Sequence, residues 1–100
     1  MRIVKPTNPP SMAVVVDTLA AGLVTLSLEP AHPAESRIDI VYIRSGDGPL
    51  SAVGVLLGGG AVADENVLVP MLFTGMRELA RIRVNRAVVC IRETDIEETL

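Results

Sequence analysis

The sequence predicts an all-β fold, on two observations. Short runs of Val, Ile and Leu follow the two-residue period of a strand, most clearly in Arg37–Arg44. Clusters of Gly, Pro and polar residues punctuate those runs, at Asn8-Pro9-Pro10, at Glu29–Ser36, at Ser45–Pro49 and at Gly58-Gly59-Gly60. Short strands with regular turn signals point to a barrel or a sandwich. The 100 residues suffice for one domain, residues 1–100.

The elements follow in order. Ile3-Val4 reads as a short edge strand stopped by Lys5-Pro6. Asn8-Pro9-Pro10 is a rigid break, because proline fixes φ and donates nothing to a ladder. Met12–Val16 is a β-branched run and a predicted strand, with a turn over Asp17–Ala21. In Leu23–Leu28, strand geometry puts Val24, Leu26 and Leu28 on one apolar face and Leu23, Thr25 and Ser27 on the other. That segment is either a half-buried strand or an apolar strip on a loop.

Two prolines three residues apart mark Glu29–Ser36 as the clearest loop. In Arg37–Arg44, Ile38, Ile40 and Tyr42 make one apolar face, and Asp39, Val41 and Ile43 a partly apolar one. Ser45–Pro49 is a turn, and Leu50–Leu57 is a small apolar run. Asp64-Glu65-Asn66 is a polar turn before a predicted short strand, Val67-Leu68-Val69, ended by Pro70. Met76–Val84 is ambiguous: Met76, Leu79, Ala80 and Arg83 have helical spacing, whereas Ala80, Ile82 and Val84 have strand spacing. Ala87–Ile91 is a further predicted apolar strand.

Composition excludes several functions. With no Trp, one Phe and one Tyr, the core must be aliphatic. Such side chains bury less area each than aromatics, so oligomerisation is expected to help a domain this small. A net charge of −3 argues against a general nucleic-acid binder. Arg77, Arg81, Arg83, Arg86 and Arg92 precede Glu93, Asp95, Glu97 and Glu98, a dipolar run that suits a solvated strand face or pairing between subunits. One cysteine, Cys90, rules out an internal disulfide framework and reads as a small buried hydrophobe in a reducing compartment. No signal peptide and no membrane-spanning run is visible, so a soluble, cytoplasmic protein is expected, with no membrane partner.

No set of catalytic residues converges. Gly46-Asp47-Gly48 and Gly58-Gly59-Gly60 lack the lysine and the strand–helix context of a phosphate loop, and Lys5 is the only lysine. His32 is the sole imidazole, too few for a histidine-rich metal site, and Cys90, which would need a base to act as a nucleophile, reads as buried. Asp39 and Asp47 are the candidate carboxylate pair, with nothing to fix their separation. No enzyme, cofactor or metal is therefore expected.

The order of elements in the last third resembles the C-terminal half of the GroES-like co-chaperonins. The carriers are Asp64-Glu65-Asn66, Val67-Leu68-Val69-Pro70, Phe73-Thr74-Gly75, Ala87–Arg92 and Asp95-Ile96. Ile3–Pro6 resembles that family's N-terminal strand, and Ala21-Gly22-Leu23-Val24-Thr25-Leu26 its apolar loop motif. The resemblance covers most of the chain by spacing and few positions by identity. It implies a small GroES-like β-barrel, a protruding loop near residues 18–36 and a roof-like hairpin near 46–63. It also implies a homo-oligomeric ring, a heptamer, that caps a GroEL-like chaperonin in the cytoplasm, the host cytoplasm for a bacteriophage-encoded member. Leu23, Val24 and Leu26 would touch the chaperonin; Ile3, Val4, Ile91 and Ile96 would seal subunits. The alternative is a viral or other structural β protein, such as a capsid decoration or connector subunit, without chaperonin binding.

Overall fold

The computed structural model describes residues 3–18, 22–44 and 52–99, and it is all-β. Strands β1 (Val4–Pro6), β2 (Ala13–Thr18) and β3 (Gly22–Ser27) form one antiparallel sheet in that order. Strands β4 (Arg37–Arg44), β5 (Ala52–Leu56), β6 (Met76–Val84) and β7 (Ile96–Glu98) form a second, in the order β5-β4-β6-β7. The aliphatic core lies between them. Val4, Val14, Val16 and Leu28 come from the first sheet and the residue that follows it, and Val41, Leu79, Ala80, Ile82, Val84, Ile91 and Ile96 from the second sheet and its connections.

The expected barrel is open. The sheets come together at both ends, β1 beside β7 and β3 beside β5, without a ladder across either seam among the described residues. At the first seam the Val4 N–H donates to Glu98 Oε1 at 3.1 Å, a side chain standing in for a backbone rung.

Strand β4 forms where alternation predicts it. Its register with β6 sets Arg37, Asp39 and Val41 opposite Val84, Ile82 and Ala80. Residues opposite each other share a face, so the face bearing the ion pair is the one that packs on the core. Ile40 is buried on the other face, outside the main cluster.

Met76–Val84 is a strand, and its helical spacing has a local cause. A bulge opposite Val41 and Tyr42 inserts Leu79 into the ladder, so Leu79 and Ala80 are both buried. Two adjacent inward side chains break the strand period.

Four other expectations change. Val67–Val69 is not a strand: β6 already has β4 along its length and β7 at Ala80–Ile82, and Pro70 lacks an N–H. Ala87–Ile91 is not a strand either, because the chain turns at Arg86-Ala87, where Ala87 has φ +59. The segment 18–36 is not a single loop, since β3 occupies Gly22–Ser27 and pairs with β2 from Ala13 to Thr18. That register also puts Asp17 and Thr18 inside β2 rather than in a turn. In the expected hairpin at 46–63, β5 pairs back on β4 from Arg44↔Ala52 to Ile40↔Leu56. Residues 46–51 of it, including Asp47, lie outside the described residues, as do 19–21.

Candidate protein interaction surface

The expected contact residues divide between the faces of β3. Leu23 is 71% exposed. Val24 and Leu26 are half-buried on the opposite face, and Leu26 packs against the core. Alternation along a strand enforces that split. The expected subunit-interface residues are likewise occupied within the chain. Val4, Ile91 and Ile96 are buried, and Ile3 packs partly against the same cluster.

Among the described residues, the longest exposed apolar stretch lies elsewhere, between the Asp64–Asn66 turn and β6. Leu68 is 74% exposed, Met71 86% and Phe73 66%, and Val69 is exposed beside them. These residues carry no charge and, from Leu68 to Leu72, make no backbone hydrogen bond to any described residue. The backbone enters the stretch extended at Val67, φ −73 and ψ 116.

Both ends of this arm are tied down. At its start, Asp64 Oδ1 accepts from Arg86 Nη2 at 2.9 Å and pairs with Arg83 Nη2 at 3.3 Å. Arg86 also donates to the Val62 carbonyl at 2.9 Å. At its end, the Met76 N–H donates to the Phe73 carbonyl at 3.1 Å, closing a turn with Gly75 at φ +88. Such a turn needs a residue that tolerates positive φ. Arg83 and Arg86 lie at the far end of β6 or just past it, and Met76 begins that strand. The arm therefore runs the length of β6 as a strap, held at each end and unladdered between.

Two shallow grooves lie beside the last 3₁₀ turn, Glu93–Asp95. One, of about 320 Å³, is lined by Asn85, Val88, Cys90, Arg92 and Asp95 among others. The other, of about 210 Å³, is lined by Ile38, Arg81, Arg83, Asp95 and Glu97 among others. Asp95 Oδ2 accepts from the Arg92 N–H at 2.9 Å, and Glu78 accepts from Arg81 Nε at 3.2 Å, so these charges serve local structure. Cys90 is a half-buried free thiol, less enclosed than expected. His32 Nδ1 accepts from the N–H groups of Ala34 and Glu35, both at 3.0 Å, and shapes the loop. Asp39 is committed to Arg37. No three His, Cys, Asp or Glu side chains cluster among the described residues, and no described helix is long and apolar enough to cross a membrane.

Sequence reasoning treated Leu68 and Val69 as an ordinary strand and left Met71 unused. The available signal was a seven-residue run without charge, Val67–Phe73, interrupted by a proline. Comparison with family models, curated proteins and solved structures finds no match to the chain.

Proposed function

We propose that this chain is an assembly protein, a small β subunit that acts by apolar contact with other protein chains. The observation that supports this is the exposed arm, where Leu68, Met71 and Phe73 stand in solvent between two anchored turns. A contiguous apolar patch of this kind on a small domain marks an interaction site.

The assembly takes one of two forms. The better supported is a structural subunit, such as a decoration or connector of a larger shell. In its favour, the segment Gly22–Ser27 is laddered to β2, and Leu23 and Val24 point to opposite sides of the sheet. The second form is the ring-forming co-chaperonin, the expected heptamer on a GroEL-like chaperonin, with the ATP chemistry in its partner. The order of elements and the exposed Leu23 at the start of β3 favour it.

Native mass spectrometry of the purified chain, alone and with a chaperonin plus ADP or ATP, tests both. A self-assembled species that ignores the chaperonin supports the structural subunit. A seven-subunit species that joins the chaperonin only with nucleotide supports the co-chaperonin. A strict monomer in every mixture overturns self-assembly.

A further inference from the structure

We propose that Met71 is an oxidation site, where a hydroperoxide adds one oxygen to the side-chain sulfur and turns the apolar arm polar. The site stands on geometry alone. Its consequence for association rests on the assembly reading and names how that contact is released.

Exposure singles this sulfur out. Oxygen transfer needs the oxidant to reach the thioether, so susceptibility follows accessibility. Met71 is 86% exposed, more than any other large apolar side chain described. Met12 and Met76 are both half-buried: Met12 packs against the core, and Met76 begins β6 opposite Arg44. Cys90, the other described sulfur, is half-buried as well. Met1 lies outside the described residues.

The chain geometry keeps Met71 outside. Exposure alternates along the end of the arm, with Pro70 and Leu72 half-buried and Met71 and Phe73 exposed. An extended chain alternates its side chains in this way. Asp64 at one end and the Phe73–Met76 turn at the other hold the arm in place. Met71 and Phe73 are thus the outermost apolar pair of the arm.

The chemistry is a simple oxygen transfer. The sulfur lone pair attacks one peroxide oxygen, and the O–O bond breaks as the S–O bond forms. The proton of the transferred oxygen passes to the departing one, which leaves as water or an alcohol. The thioether is oxidised and the peroxide reduced, each by two electrons. The resulting sulfoxide is polar where the thioether was apolar. Beside Phe73 it interrupts the patch that makes the arm an interaction surface.

Wild type and Met71→Leu, each treated with hydrogen peroxide and compared with its own untreated sample, test this. Peptide mapping by mass spectrometry reads the site. The Met71 peptide of the wild type should gain one oxygen before those holding Met12 or Met76. Equal or earlier oxidation of either overturns the proposal. Retention on a hydrophobic-interaction column reads the surface without any partner. Treated wild type should elute earlier, and treated Met71→Leu should shift by less, since Cys90 is present in both. A shift as large in Met71→Leu as in the wild type, or none in the wild type, overturns it. In native mass spectrometry, oxidation should weaken association of the wild type about tenfold, the effect of losing an anchor. Undiminished association with Met71 mapped as oxidised overturns the consequence. A strict monomer before treatment overturns the assembly reading and the consequence with it, while the map and the column still decide the site.

Discussion

Gly58 donates its backbone N–H to Asp39 Oδ1 at 2.9 Å, the same oxygen that binds Arg37 Nε at 2.9 Å. One carboxylate oxygen on the core face of β4 therefore ties that strand to the segment leaving β5. Arg37 extends the network with bonds to the Pro30 carbonyl at 3.1 Å and the Glu29 carbonyl at 2.6 Å. The network joins the loop after β3, strand β4 and the segment leaving β5.

Asp39→Ala should be among the most damaging substitutions in the chain. The Asp39 side chain is 0% exposed and that of Arg37 9%, so removing the carboxylate leaves a buried guanidinium and an unpaired Gly58 N–H. Breaking a buried pair in this way costs about 3–5 kcal/mol, a large share of the roughly 5–15 kcal/mol typical of a domain. Urea unfolding would measure the loss. Replacing both partners together, Arg37→Met with Asp39→Leu, should not restore full stability, because the carbonyls of Glu29 and Pro30 would also lose a donor.

Gly58→Ala and Gly59→Ala should separate sharply. A Cβ at Gly58 would run into the backbone carbonyl of Ile38, which can give way only if β4 moves. The expected loss is roughly 3 kcal/mol, the upper range for overpacking. A Cβ at Gly59 meets nothing within 4 Å, so that substitution should stay within about 0.5 kcal/mol of the wild type. Similar losses at the two positions would argue against the close approach of Gly58 to β4.

These relationships show what could be read from the residues alone. β4 was legible as a strand because Arg37–Arg44 is rich in β-branched residues between polar ends, but which of its faces meets the core was not, since the less apolar face, with Asp39 and Val41, is the one that packs on the cluster. β6 was ambiguous because alternation assumes a continuous pleat, and the bulge at Leu79 interrupts it. Strand propensity describes a segment, whereas a strand also needs a free neighbour. Val67–Val69 has the propensity and lacks the neighbour. Alternation correctly grouped Val24, Leu26 and Leu28 on the inward side, and it sets Leu23 and Val24, which the loop motif groups together, on opposite faces of β3. The arm was missed because exposure of Met71 and Phe73 depends on where the chain is anchored, through contacts of Asp64 with residues about twenty positions away.

Ala87 holds the only described non-glycine backbone with positive φ, at +59. Left-handed geometry costs an L-residue about 1–2 kcal/mol, and glycine avoids most of it. Because glycine also gives the unfolded chain more freedom, Ala87→Gly should gain no more than about 1 kcal/mol. Ala87→Val should instead lose about 1–2 kcal/mol, since a branched Cβ fits that region poorly. Thermal melts of the two variants should move in opposite directions.

The anchor of the arm should contribute little to global stability. Asp64 is 62% exposed, and its partners Arg83 and Arg86 are 40% and 41% exposed. Exposed pairs are worth about 0–1 kcal/mol even when bonded, and solvent screening lowers that further. Asp64→Asn should therefore cause a small loss at low salt that fades near 1 M salt, where the Debye length is about 3 Å. Its larger effect should be on proteolysis within the arm, which ought to speed up once one end is released.

Ile91 distinguishes a core residue from a subunit seal. It is fully buried in the main cluster, and its N–H donates to the Ser11 carbonyl at 2.9 Å. Ile91→Ala should cost about 2–4 kcal/mol through lost burial and the remaining cavity. Because those contacts lie within one chain, the loss should be the same at every protein concentration. A residue that mainly sealed an oligomer would behave differently, since stability gained by association rises with concentration. Denaturant midpoints of the wild type and Ile91→Ala, compared across a wide concentration range, should shift in parallel. A gap between them that widens with concentration would assign Ile91 to a subunit interface instead.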